Sequence, residues 1–201
     1  MKKGVIIILV IVGIIIFTAL CIVGWYVSTH NKLVALNEDI NGKWSQVQNQ
    51  YQRRFDLIPN LVETVKGYAK HEKVTLEEVV NARAKVGQMV ISPEVLRNPQ
   101  AFQMFEKAQG ELSSALMRLM AVSENYPNLK ANENFLQLQS QLEGTENRIA
   151  VERMRFNEAV QNYNTTIKKI PTSIVAGMNG YVERPYFKSQ DGAENAPKVN
   201  F

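Results

Sequence analysis

From residue 33 onward, apolar side chains return at alternating steps of three and four: Leu33, Leu36, Ile40, Trp44, Val47, Tyr51, Phe55 and Ile58. That period places them on one face of an α-helix. Ahead of them, residues 5–27 read VIIILVIVGIIIFTALCIVGWYV, with no charge and no proline, and are apolar on every face. A helix of this stretch covers roughly 35 Å, enough to cross a hydrocarbon core of about 30 Å. The pattern predicts a transmembrane helix over 4–28. Trp25 and Tyr26 stand at its exit, where aromatic rings with one polar edge favour the headgroup layer. Nothing between Val27 and Leu33 forces a break, so anchor and first bundle helix are expected to run on as one rod.

Lys2 and Lys3 before an apolar run also open signal peptides. The run is longer than a usual signal core, however, and no A-x-A-like pair of small residues stands near 24–30. Lipid attachment at Cys21 would want a small residue before it, where the chain has Leu20. A retained anchor is therefore the reading. Lys2 and Lys3 crowd the short flank, whereas Lys32 and Lys43 on the other side are offset by Glu38 and Asp39. The positive-inside rule leans towards a cytoplasmic amino terminus and an extracytoplasmic domain.

Three further amphipathic series follow. The second comprises Leu61 or Val62, Val65, Ala69, Leu76, Val79, Val80, Val86 and Val90. Because Pro59 lacks a backbone donor and disfavours helical geometry at Ile58, a chain reversal is predicted there. Thr75-Leu76-Glu77-Glu78 has the S/T-x-x-E form of a capping box, which leaves a break near 71–74 open. Ser92-Pro93 and Asn98-Pro99 each set a capping side chain before a proline suited to a first helical turn. They introduce a third helix, Phe102, Phe105, Ala108, Leu112, Leu116 and Leu119, which ends before Pro127. The last series is Phe135, Leu138, Leu142, Thr145, Ile149, Phe156, Val160, Tyr163, Ile167 and Ile170, ended by Pro171, with Gly144 marking a bend or a close approach.

The expected fold is all-α, an N-terminal transmembrane helix followed by a long antiparallel four-helix bundle of up-down-up-down order. Its parts are a short flank (1–3), the transmembrane helix (4–28), the bundle (29–171), a C-terminal docking segment (172–188) and a polar tail expected to be disordered (189–201). In the docking segment Tyr181, Tyr186 and Phe187 are candidates to cap the bundle, touch lipid headgroups or fill a groove on a neighbouring subunit.

Composition narrows the chemistry. Two of the 23 Lys and Arg precede the membrane, which leaves 21 against 19 Asp and Glu, a nearly neutral domain with no case for nucleic acid. Cys21 is the only cysteine, so there is neither an internal disulfide nor a thiolate metal site. His71-Glu72 begins like a zinc-protease motif, but the second histidine position holds Thr75. No phosphate-binding loop, nucleophile elbow or di-iron spacing occurs. No cofactor, metal or enzymatic activity is expected, and the dense apolar stripes show no sign of a roomy polar pocket.

The segment QRRFDLIPNLVETVKGYAKHE at 52–72 is distinctive, together with NKLVALNEDINGKWSQVQNQY upstream and RFNEAVQNYNTTIKKIP and PYF downstream. In these blocks, above all Arg53, Arg54, Asp56, Leu57, Ile58, Pro59, Asn60, Leu61 and Val62, the chain resembles the LemA family. The resemblance implies a single-pass bacterial membrane protein with a helical bundle and no established enzymatic activity. Arg53, Arg54, Asp56, Pro59, Asn60 and Glu63 form a candidate network, read either as ion pairs that fix a corner or as a docking site. Glu143, Glu146, Arg148, Glu152, Arg153 and Arg155 form a mixed-charge face, either solvated or an inter-subunit zipper.

The expected function is a membrane-anchored helical scaffold that self-associates, in envelope organisation or membrane shaping. The alternative is an adaptor of a membrane enzyme, since the family is associated with membrane proteases of the heat-shock type. The expected partners are the lipid bilayer, further copies of the chain, or another membrane protein. The bacterial cell envelope is the expected location.

Overall fold

A computed structural model describes residues 2–89 and 93–188. The first helix, α1, runs unbroken from Lys2–Tyr68, 67 residues, or roughly 100 Å at 1.5 Å per residue. Residues 6–23 are exposed on every side. From Thr29 onward one face is buried, so the anchor and the first bundle helix are indeed a single rod.

The reversal expected at Pro59 does not occur. Pro59 lies inside α1 on its exposed side, where the ring meets solvent rather than a packed neighbour. The chain turns instead at 69–72, overlapping the break near 71–74 that the sequence left open, and enters α2 at Lys73–Gly87. Thr75 is already inside α2, and Glu72 precedes the helix without a side-chain cap, so the S/T-x-x-E box does not operate. A 3-10 turn, Pro93–Arg97, leads to α3, Pro99–Ser123. Asn98 caps α3 as its sequence suggests, its Oδ1 accepting from the N–H groups of Gln100 at 3.0 Å and Ala101 at 3.1 Å. A single turn, α4 (Pro127–Lys130), precedes α5, Glu133–Lys168, which Asn132 caps through the Phe135 N–H at 3.0 Å. A cis Ile170–Pro171 bond leads into the short α6, Thr172–Met178. Val90, Ser92 and the tail 189–201 lie outside the described residues.

α1 and α5 form the main antiparallel pair. Trp44 meets Phe156, Arg54 meets Glu146 and Tyr68 meets Asn132, so the two helices run in opposite directions. α2 and α3 form a second antiparallel pair, tied across its outer edge by Lys85–Glu111 at 2.6 Å and Arg118–Glu78 at 2.9 Å. Four helices thus build the domain, as expected, although α2 is much shorter than its neighbours.

The apolar residues gather into two clusters along the rod. The one nearer the apolar segment 6–23 centres on Trp44, Phe102, Phe105, Phe156 and Phe187, and the distal one on Ile58, Leu61, Val79, Leu112, Leu119 and Phe135. Gly144 is not a close approach, because it is exposed and a Cβ there would meet nothing within 4 Å, and α5 continues through it. Ile170, read as the end of the core stripe, is 86% exposed.

Candidate functional site

Between the two apolar clusters lies a polar layer. On α1 Arg54 falls between Tyr51 and Ile58, on α3 Gln109 between Phe105 and Leu112, and on α5 Glu146 between Leu142 and Ile149. Arg54 is only 1% exposed. Its Nη1 donates to Glu146 Oε1 and to Ser113 Oγ, both at 2.7 Å, and its Nη2 donates to Gln109 Oε1. Its guanidinium also lies 5.1 Å from the centre of the Tyr51 ring. A buried charge is tolerated only when paired and hydrogen-bonded, and this constellation supplies both. Burial raises the Tyr51 hydroxyl above its ordinary 10.0, against the opposing pull of Arg153 and Arg54.

Above this layer α3 and α5 stand apart and leave an open groove of about 620 Å³. Arg54 and Gln109 form its floor, Leu116, Met117 and Met120 one wall, and Leu142, Glu146 and Arg153 the other. Gln109 Nε2 and Arg54 Nε are buried with no hydrogen-bond partner among the described residues. The sequence showed no sign of such a space. The readable signal was a charged residue on an apolar stripe, Arg54 standing three after Tyr51 and four before Ile58.

The rest of the predicted network is distributed differently. Arg53, Asp56, Asn60 and Glu63 line the exposed side of α1. Asp56 accepts from Gln52 at 2.8 Å and Glu63 pairs with Lys66 at 3.5 Å, both within the same helix. Within this set and among the described residues, Arg54 alone reaches other elements. Pro59 leaves the Phe55 carbonyl without its helical donor, and Arg83 of α2 fills the gap, its Nε 3.3 Å from that oxygen and its guanidinium 3.8 Å above the Phe55 ring.

After α6 the chain folds back along the bundle as an extended strap, 181–188. Gly180, at φ +68, permits the reversal, and the Tyr181 N–H reaches back to the Ala176 carbonyl at 3.0 Å. Two asparagines of α5, seven residues and so about two turns apart, hold the strap by its backbone. Asn164 accepts from the Arg184 N–H and donates to its carbonyl, both at 2.9 Å. Asn157 does the same at Phe187, again at 2.9 Å.

Phe187 is thereby driven among Trp44, Phe102 and Phe156. Arg184 is buried, donates to Asn37 Oδ1 at 2.7 Å, and is pushed below its usual value by desolvation. Lys188 closes the strap, its N–H donating to Glu106 and its carbonyl accepting from Arg153. Tyr181 is half-buried and Tyr186 exposed.

At the other end, Trp25 is 39% exposed and Tyr26 is half-buried, and Asn179 Nδ2 at the end of α6 donates to the Tyr26 hydroxyl at 3.1 Å. His30 lies between Tyr26 and Tyr181, with ring centroids 6.3 and 6.2 Å away. Of the mixed-charge face of α5, Arg153 pairs with Glu106 of α3 at 2.8 Å and Arg155 with Glu152 in the same helix at 2.8 Å. Among the described residues no three His, Cys, Asp or Glu side chains converge as metal ligands.

The sequence model of the LemA family matches residues 43–201. Magnetosome protein MamQ 2 of Paramagnetospirillum magneticum is 27% identical over 181 residues, covering 82% of this chain and 66% of that one. Magnetosome protein MamQ of Magnetospirillum gryphiswaldense is 26% identical over 181 residues with the same coverage. Protein LemA of Metamycoplasma hominis is 24% identical over 154 residues, 75% of this chain and 65% of its own length. The match thus spans slightly under two thirds of these relatives.

Proposed function

The chain belongs to the LemA family, and from that premise we propose that it is a membrane-anchored helical-bundle scaffold that associates with itself and catalyses no reaction. The observation that carries this reading is the open groove between α3 and α5. A bundle normally closes such a seam with side chains from both helices. Here Met117 at 61% exposure and the neighbouring Leu116, Met120 and Leu142 line a slot with Arg54 beneath it. Flexible methionines on such a surface suit a partner that packs by shape. The apolar helix at 6–23, exposed all round, supports an anchor that crosses the bilayer once. Lys2 and Lys3 support an extracytoplasmic domain in a bacterial envelope, where such a scaffold would serve envelope organisation or membrane shaping. The names of the relatives carry no enzyme designation.

The second reading, an adaptor that holds a membrane enzyme, rests on the same groove with a foreign occupant. Crosslinking in the native membrane from a photoreactive residue in place of Met117, read by mass spectrometry, separates the two. Adducts between copies of this chain support the scaffold. Adducts to a different membrane protein alone would replace the scaffold with the adaptor.

A further inference from the structure

We propose that the elbow between α5 and the strap is a second membrane contact, an apolar knuckle that dips into the headgroup layer beside the anchor. The proposal rests on the anchor reading above. The elbow comprises Ile170, Pro171 and α6. On α6, Val175 and Ala176 are buried in the bundle, while Ile174 and Met178, four apart and hence on one face, are 60% and 72% exposed. Ile170 just before them is 86% exposed. Among the described residues these three large apolar side chains have no neighbour that shields them, and such a patch marks a contact with something apolar.

The occupant follows from where the fold fixes this turn. Asn179, the residue after Met178, donates to the Tyr26 hydroxyl at 3.1 Å and so holds the elbow level with the aromatic exit of the apolar helix. Among the described residues nothing covers 6–23 of that helix, and the buried face of α1 begins only at Thr29. A bilayer around the anchor therefore ends at the height of the elbow. Lys168 and Lys169 precede the elbow; Lys168 is paired with Glu183 at 2.8 Å, and Lys169 is exposed, a cation that lipid phosphates would meet in the proposed contact. An apolar face with lysine at its rim is the composition of elements that lie in the interface. With two contacts, the anchor and the elbow, the rod cannot swivel freely and the bundle is held at a set angle to the membrane.

The test uses the full chain in vesicles of phosphatidylcholine and phosphatidylglycerol with a fluorophore on a single cysteine. Four forms are needed: the native chain labelled at Cys21, and Cys21→Ser chains carrying Ile174→Cys, Met178→Cys or, as a distal exposed control, Val74→Cys. Lipid bearing a nitroxide high on its acyl chain is the quencher. Quenching at 174 and 178 several-fold above that at 74 is expected. Quenching at Cys21 with 174 and 178 no higher than 74 would overturn the elbow and leave the anchor standing. Quenching at none of the four positions would overturn both. Oxidative crosslinking between copies of the Ile174→Cys chain, without quenching by lipid, would also overturn the proposal by assigning the patch to a second copy.

Discussion

The Nε of Arg83 donates to the carbonyl of Phe55 at 3.3 Å, and that carbonyl is the acceptor that Pro59 deprives of its helical donor. A contact from α2 thus repairs the defect that would otherwise end α1, and the rod continues for another two turns or so.

This pairing predicts a thermodynamic coupling between two residues that do not share an element. Arg83→Ala removes a hydrogen bond and a cation–π contact and should cost about 1–3 kcal/mol. In a Pro59→Ala background the restored N–H serves Phe55, and the cost of Arg83→Ala should fall by about 1 kcal/mol. A double-mutant cycle by chemical unfolding in detergent measures it. Strictly additive effects would show that the Arg83 bond does not compensate for the proline.

Asn157 and Asn164 are predicted to hold the strap. Each makes two bonds to strap backbone, so Asn164→Ala should destabilise by about 2 kcal/mol and expose 181–188 to protease, with Asn157→Ala acting at its far end. Because Phe187 is inserted beside Trp44, release of the strap should also change tryptophan emission. If limited proteolysis and emission are both unaltered in the Asn157→Ala, Asn164→Ala double variant, the asparagines do not hold the segment.

Arg54 should tolerate replacement poorly and unevenly. Arg54→Ala leaves a cavity and the buried Gln109 oxygen unpaired, and about 2–4 kcal/mol is expected from the two together. Arg54→Met fills the volume without the charge and should recover part of that loss. Glu146→Gln keeps an acceptor for Arg54 but leaves its charge unneutralised, and because Glu146 is 39% exposed the loss should be smaller, about 1–2 kcal/mol. Unfolding curves that place Glu146→Gln below Arg54→Ala would contradict this ordering.

Stability should fall in alkali because of Tyr51. Desolvation raises its folded value above 10.0, so as pH climbs past about 10 the unfolded chain loses the phenolic proton first and the folded chain binds more protons. Stability then decreases with pH, intact below about pH 10 and lost through the interval up to the folded value. Tyr163 is raised by burial in the same direction. Melting temperature followed across this interval should drop less steeply in Tyr51→Phe than in the native chain, and identical slopes would remove Tyr51 from the account.

Much of the fold was legible because apolar period and the all-apolar run are properties of single elements. Leu33 through Ile58 on one side and Phe135 through Ile167 on the other mark the faces that now form the core. The reversal at Pro59 was misread because a proline's effect depends on what meets the freed carbonyl, and Arg83 lies on a different helix. The strap was opaque for a related reason. An extended segment has no helical period, and the spacing of Asn157 and Asn164 acquires meaning only beside the backbone they hold. The groove left one trace, a charge at position 54 within an apolar stripe, but an uncovered seam between α3 and α5 is a matter of helix separation, which local pattern does not encode.

Self-association sets the mass of the particle. Light scattering on the full-length chain in mild detergent and in lipid nanodiscs, at micromolar concentration, should give particles of many copies, with Met117→Glu in the groove wall shifting them towards smaller species while the chain keeps its helical content. A single chain per particle in both environments, unchanged by Met117→Glu, would contradict the scaffold and leave the groove to a different protein.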